Sequence, residues 1–599
     1  MKEPTPFKES EVSNSNHKHK MALQFRSTMF VLLAAIMLSF SFTGAQECAC
    51  SGFIEAQGVL GRNTGTQWSS VALQVLEEVN NNPDTALLVP PIARNLALFS
   101  SCMYDTYCIL SRDCYPVLAR SRDIGAPRNL SEDEISNQVS FAAFTGIEQI
   151  FGKVFPQARR QLRHDGLRQR DVAGSIGNKV CRATITARID DGSDQSVEFE
   201  PPRQTNGDSK ISFDAQCSKF VDADGWQPLC IPPPQPDAQL PTYPQSGSTV
   251  QSISVRQQIL DKNSSRSLSI VRQTSGDSGN RLPSLAAAAE DAPTCNPQDF
   301  STPEYGVTVD PFHPGTRRLA LNLRAPPQAG SRRFDKEFNE VLEISGKLDD
   351  KGKAIAEFWD DNPFRTQPPG QWWRISLEAA VANKISLRNT LALQMTMGMA
   401  QLDAAIAAWT TKFDENLVRP ITVIQCNKMG KTLTAWSRPY EGVRTFMQKA
   451  GMTWRPYLET PPFPGYVSGH STYGAAGAEV LKSFFGEKYV GPNCFRRERG
   501  ESEVEPRIRR GRPGFRRGFT DIANRGPSTP GFSPASTVKL CWNTFTEASD
   551  ENGFSRLLGG VHIKADNVFG LTLGRRVGVA VARRARRFTL IAEGGGEQP

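Results

Sequence analysis

Residues 461–474 read Pro461-Pro462-Phe463-Pro464-Gly465-Tyr466-Val467-Ser468-Gly469-His470-Ser471-Thr472-Tyr473-Gly474, a stiff proline-rich approach that runs into Ser-Gly-His and then into an alanine-rich apolar segment. Ser468 is an N-cap by residue type, Gly469 lets the backbone approach a ligand closely, and the apolar spacing from Ser471 to Phe485 predicts a helix. The free amides of the first turn and the positive end of the helix dipole then face whatever sits beside Ser468. A tetrahedral oxyanion suits such a cradle. An ordinary capped helix carrying a surface histidine fits the same letters, so the choice rests on what else the chain offers.

Two other stretches bear on it. Trp409-Thr410-Thr411-Lys412 leads through Phe413 to Arg419-Pro420. Seven residues are close to two helical turns, so Lys412 and Arg419 can share one helix face about 10 Å apart, with Pro420 marking the helix end. Alone, such a pair reads as a solvated basic face. The third stretch is Ser555-Arg556-Leu557-Leu558-Gly559-Gly560-Val561-His562-Ile563-Lys564-Ala565-Asp566. Gly559-Gly560 breaks the helix and can fold Arg556 and His562 inward. His562 and Asp566, at i and i+4, share a face, where the carboxylate can hold one imidazole proton and leave the other nitrogen basic. The chain has six histidines, two of them in its N-terminal leader. Two of the other four fall in these stretches, together with three cations, which is a donor set for a multiply charged oxyanion.

The 599 residues, 39% hydrophobic and 22% charged, describe a folded globular protein with room for more than one domain. The formal net charge of +8 is mild and gathered in local arginine runs, so a globally basic nucleic-acid-binding surface is not indicated. A basic lead to Arg26, an apolar run from Met29 to Phe42 and the small residues Thr43-Gly44-Ala45 predict a cleaved secretory signal over residues 1–45. The run is too short to span a bilayer, although an uncleaved signal would act as an anchor. No later stretch could span a membrane. All twelve cysteines lie beyond that signal, and Asn129-Leu130-Ser131 and Asn263-Ser264-Ser265 are glycosylation sequons, which together predict a secreted, disulfide-bonded protein of unspecified pairing. Cys48, Cys50, Cys102, Cys108 and Cys114 lack the spacing and histidine partners of a zinc site.

In chain order, residues 46–199 read as a first helical bundle. Two helices between Trp68 and Arg112 are broken at Pro90-Pro91, a third opens on the Ser131 capping box, and another covers Asp171 to Ile189. Residues 200–332, rich in Pro and Ser, read as a partly disordered connector in which His313 is structural. Helical periodicity returns over 333–599, interrupted by a basic insertion at about 490–535. There Arg496-Arg497-Glu498-Arg499 and Arg507 to Arg517 read as a solvated insertion, with a nucleic-acid-binding segment as the alternative.

Taken in order, Lys412…Arg419-Pro420, Val467-Ser468-Gly469-His470 and Ser555-Arg556…His562…Asp566 resemble the signature of the vanadium-dependent haloperoxidases and of the related type 2 phosphatidic acid phosphatases and bacterial acid phosphatases. Trp359, Pro368-Pro369-Gly370-Gln371-Trp372 and Thr460 to Gly474 resemble the secreted and bacterial haloperoxidase branch, and residues 1–65, 235–295 and 490–535 look like additions. The resemblance implies an all-α fold of two four-helix-type bundles with long irregular connectors, the anion site lying within the C-terminal bundle. It implies that Lys412, Arg419, Ser468, Gly469 and Arg556 hold vanadate, that His562 is the vanadium ligand with Asp566 behind it, and that His470 acts as acid–base on hydrogen peroxide. Halide would then be oxidised to a hypohalous species that halogenates a small organic acceptor. Trp409 and Phe463 resemble a chloroperoxidase-like pocket, since brown-algal bromoperoxidases carry histidine at the second position. In the phosphatase alternative phosphate takes the place of vanadate, His562 attacks phosphorus and His470 protonates the leaving group. A non-catalytic anion-binding role and a homo-oligomer stay open.

Overall fold

The computed structural model describes residues 63–82, 85, 87–120, 122, 124–127, 129–193, 226, 304–360, 365–437, 439, 442–448, 454–461, 463–505 and 533–589. The predicted signal, the Asn263 sequon and Arg507 to Arg517 lie outside these residues. Most of what is described is helical, as predicted, with only short strands beside it. Asn63 caps α1 (Thr64–Asn80) in a reciprocal box with Thr66. Pro90 and Pro91 lie in the first turn of α2 (Val89–Ser111). They begin that helix, because a proline there gives up only an amide that has no partner anyway. Ser131 closes the predicted capping box with Glu134 at the head of α3 (Glu132–Phe151). The helices α4 (Pro156–His164) and α5 (Ile176–Thr186) complete this group. Disulfides Cys102–Cys181, between α2 and α5, and Cys108–Cys114, at the end of α2, tie it together.

A second group follows: α6 (Arg332–Ser345), α7 (Asp350–Asp360), α8 (Gln367–Ala382), α9 (Leu387–Glu415), α10 (Pro420–Asn427), α11 (Gly469–Phe485), α12 (Phe545–Leu558) and α13 (Lys564–Thr589). Two antiparallel hairpins decorate it. In one, β1 (Thr432–Trp436) pairs with β2 (Val443–Met447). In the other, β3 (Cys494–Arg497) pairs with β4 (Val538–Cys541), with Cys494 opposite Cys541 and disulfide-bonded to it. Among the described residues no helix is long and apolar enough to cross a membrane.

The spine is α9, 29 residues long and buried almost continuously from Thr390 to Lys412. It is covered by α2 on one side and by α11 and α13 on the other, and its sequence is accordingly apolar or small all round instead of striped. Residues 304–320 also close over it. The Asp403 carboxylate accepts from the Phe312 amide (2.6 Å), the His313 amide (2.8 Å) and the Thr316 hydroxyl (2.6 Å). Backbone amides docking on one buried acid leave no periodic trace, so this part of the expected connector reads as loose although it is anchored. His313 serves its own turn, its Nδ1 accepting from the Gly315 amide at 3.2 Å.

The geometry that matters most is the packing of α11 on α13. Gly570, Gly574 and Gly578 make a stripe along α13, and a Cβ on them would lie 2.8, 2.3 and 2.6 Å from the carbonyl oxygens of Ser468, Thr472 and Ala476. Only glycine lets the two backbones come this close. The approach locks the start of α11 to the start of α13, where the Ser468 amide donates to the Asp566 carbonyl at 3.0 Å.

Candidate active site

Lys412 and Arg419 converge, though not on one helix face as the spacing predicts. The Asn416 cap has left-handed backbone (φ 46°) and ends α9 after Glu415, and Arg419 is the N-cap residue of α10 with Pro420 in its first turn. A proline at the head of a new helix and the tail of an old one look alike in sequence. Both cations are fully buried. Lys412 Nζ donates to the carbonyls of Pro464 (2.8 Å) and Gly465 (3.0 Å), leaving one of its three protons free. Arg419 donates from Nε to the Phe463 carbonyl (2.8 Å) and from Nη1 to the Val561 carbonyl (2.9 Å). The proline-rich approach to α11 is therefore a backbone template that aims both cations.

The predicted glycine hinge is present. α12 ends at Leu558, Gly559 is its cap, and Gly560 takes φ +76°. His562 lies in the connection and not on α13, so its pairing with Asp566 is a helix-start contact rather than an i,i+4 face. Asp566 Oδ2 accepts from His562 Nδ1 (2.7 Å) and from the Ile563 amide (3.2 Å). With Nδ1 carrying the proton, Nε2 keeps its lone pair, and it meets Arg419 Nη1 at 3.0 Å. Burial, then Arg419, Lys412 and Arg556, hold the His562 imidazole well below its ordinary pKa, so it is neutral. Burial raises Asp566 to about 7 against the pull of Arg419 and Lys412.

Ser468 caps α11 as expected, its side chain accepting from the Ser471 amide. Gly469 and His470 follow in the first turn, where amides have no intrahelical acceptor. His470 Nε2 lies 3.2 Å from the Asp360 carbonyl. A carbonyl only accepts, so Nε2 bears the proton and Nδ1 is the basic nitrogen. Burial first, then the Arg556 charge, lower its pKa well below the ordinary value. Asp360 also takes Arg556 Nη1 on its carboxylate at 2.6 Å. Sequence reasoning missed Asp360 because it stands alone at the end of α7, far from all three stretches. It missed Asn552 too. With its amide oriented to satisfy both neighbours, Asn552 donates to the His470 carbonyl (2.9 Å) and accepts from Trp372 Nε1 (3.2 Å).

Trp409 and Phe463 form one wall, with ring centroids 5.0 Å apart. Lys412 Nζ stands 5.8 and 5.1 Å from those centroids, and the Arg419 guanidinium 5.2 Å from that of Phe463. Burial and the Arg419 charge push Lys412 well below its usual pKa, and burial brings Arg419 down to about 9. Such crowding of buried cations costs stability unless an anion relieves it. Among the described residues Arg419 Nη2 and Arg556 Nε are buried without a hydrogen-bond partner. Three orphan guanidinium protons, two on Arg419 Nη2 and one on Arg556 Nε, join one free ammonium proton, the first-turn amides of α11 and one unprotonated imidazole nitrogen in a set that fits a tetrahedral oxyanion with a nitrogen ligand on its central atom.

Residues 392–590 match the family described as the VCPO second helical-bundle domain. In fold, the chain is similar to a holo-type bacterial vanadium-dependent chloroperoxidase (17% identity, 86% of this chain and 96% of that one, TM-score 0.58). It is similar to the apo-type bacterial enzyme as well (16%, 84% and 96%, 0.58), and to a bacterial vanadium-dependent iodoperoxidase (19%, 86% and 94%, 0.50). No curated protein matches by sequence.

Proposed function

We propose, for a chain that belongs to the vanadium haloperoxidase family by its residues 392–590, that it is a secreted vanadium-dependent haloperoxidase whose cofactor is held by Lys412, Arg419, Ser468, Gly469, Arg556 and His562. The observation that carries this is a neutral imidazole, with its Nε2 lone pair free of a proton, buried among three cations. Vanadate bound there would supply an electrophilic centre that activates hydrogen peroxide towards halide without changing its own oxidation state.

The chain's own residues do the rest. Lys412, Arg419 and Arg556, all buried, neutralise oxyanion charge where each charge counts for more than it would in solution. Asp566 fixes the His562 tautomer and ring, leaving Nε2 as the ligand nitrogen. His470, anchored at Nε2, takes a peroxide proton at Nδ1, and its lowered pKa keeps that nitrogen free near and below neutral pH. Trp409 and Phe463 offer an apolar, cation-backed wall suited to a weakly hydrated halide.

The phosphatase reading comes second, favoured by the same unprotonated Nε2, which could attack phosphorus on exchanging its contact with Arg419 for the anion. Titration of vanadate into phosphate-free protein tests the shared premise. Stoichiometric binding, displaced by phosphate and absent from His562→Ala, is expected; no binding by the wild-type chain overturns it.

A further inference from the structure

Asp360, outside the three motif stretches, touches a histidine of one and an arginine of another, taking His470 Nε2 on its carbonyl and Arg556 on its carboxylate. It is the last residue of α7, so what fixes the end of α7 fixes both contacts. One turn earlier, Glu357 is buried and crowded with donors. Its Oε1 accepts from the Tyr457 hydroxyl and from Ser502 Oγ (2.5 Å), and its Oε2 from the Glu503 amide (2.8 Å), with Arg497 Nη2 at 3.6 Å. Arg497 is itself buried and reaches Glu503 Oε1 and the Glu501 carbonyl, both at 3.1 Å. It ends β3, the strand whose other end is the Cys494–Cys541 disulfide. Aromatic contacts repeat the link: Phe358 packs on Phe495 of β3 at 4.5 Å, and Trp359 on Trp542, just past β4, at 5.3 Å.

We infer that the disulfide-closed hairpin at the base of the arginine-rich insertion positions the oxyanion site, acting through Glu357 and Arg497 on the end of α7 and so on Asp360. Glu357 is a positioning residue in this scheme, since it does not touch the site. The insertion is thus not merely appended to the bundle, and Arg497 does not belong to a solvated run as its sequence neighbours suggest. The charged and aromatic clamp adds to the packing of α7, seven of whose eleven residues are buried. The inference rests on the oxyanion reading of the site, and its test separates the two.

The test measures vanadate affinity by calorimetry on full-length, phosphate-free protein, together with thermal stability. Cys494→Ser/Cys541→Ser changes two exposed residues and leaves the core intact. It should weaken vanadate binding several-fold. Glu357→Ala should weaken it further, by roughly 10-fold, the low end of the range for a direct partner of a ligand, because Glu357 acts one contact removed. Glu357→Gln keeps an acceptor for Tyr457 and Ser502 and should recover part of the loss. The control is Cys102→Ser/Cys181→Ser in the first helical group, which should lower thermal stability and leave the affinity unchanged. Wild-type binding with unchanged affinity in the hairpin variants overturns the inference while sparing the oxyanion site. Equal losses in the control and hairpin variants overturn it too, because they reduce the effect to general stability. Failure of the wild-type chain to bind vanadate sinks both.

Discussion

Replacing Asp566 with alanine tests the proposed role of His562 as the ligand. The carboxylate holds the ring through one 2.7 Å bond to Nδ1 and accepts the Ile563 amide at 3.2 Å. A hydrogen bond to a charged group contributes about 1.5–3 kcal/mol net, or roughly 10- to 150-fold in an equilibrium constant. That agrees with the roughly 10- to 100-fold loss of affinity expected when a carboxylate behind a ligating histidine is removed. Freed from Asp566, His562 can take either tautomer, and in one of them a proton occupies the nitrogen that must bind. The assay is vanadate titration of the wild-type and Asp566→Ala proteins at one pH, with circular dichroism to show that the variant is folded. Unchanged affinity in a folded variant would refute the assignment of Asp566 as the group that fixes the ligand nitrogen.

His562→Ala should abolish vanadate-dependent turnover and any phosphatase activity together, because it removes the nitrogen proposed to bond the anion's centre; full activity in that variant contradicts the site. In the wild-type protein neutral His562 leaves the folded chain binding fewer protons than the unfolded one below about pH 6.5, so stability should fall as pH drops through that range, by up to about 1.4 kcal/mol per pH unit from this group. Denaturant titration at several pH values, compared with His562→Ala, reads that slope as a difference. His470→Ala should leave vanadate affinity nearly intact while cutting turnover by roughly 100-fold or more, the scale of a lost general acid–base group. A collapse in affinity with turnover preserved at saturation would make His470 a binding residue instead. Gly574→Ala puts a methyl group against the Thr472 carbonyl and should destabilise the fold by about 1–3 kcal/mol by overpacking. A neutral result would show that α11 and α13 can separate without penalty.

Much of the site is legible in the sequence because its residues come in short stretches whose local chemistry is strong. The N-cap Ser468, the Gly559-Gly560 break and the Ser131 capping box are each dictated by backbone groups within a few residues. What stays hidden depends on distant contacts. Lys412 and Arg419 look like a solvated pair because burial of a cation is decided by carbonyls some 50 residues away in sequence, those of Pro464 and Gly465. Asp360 is invisible because its role arises from where α7 ends. The glycine stripe of α13 is visible as spacing, but the helix it faces is not. The stretch from Glu304 to Ala320 reads as connector because its order comes from contacts distant in sequence, the Asp403 carboxylate taking the Phe312 and His313 amides and the Thr410 hydroxyl donating to the Gly306 carbonyl.

The most direct measurement loads phosphate-free protein with vanadate or with phosphate and assays each form for peroxide-dependent oxidation of bromide and iodide and for phosphomonoester hydrolysis. The account predicts halide oxidation that requires vanadate, is suppressed by phosphate and exceeds any hydrolytic activity. Hydrolysis without vanadate-dependent halide oxidation would contradict it.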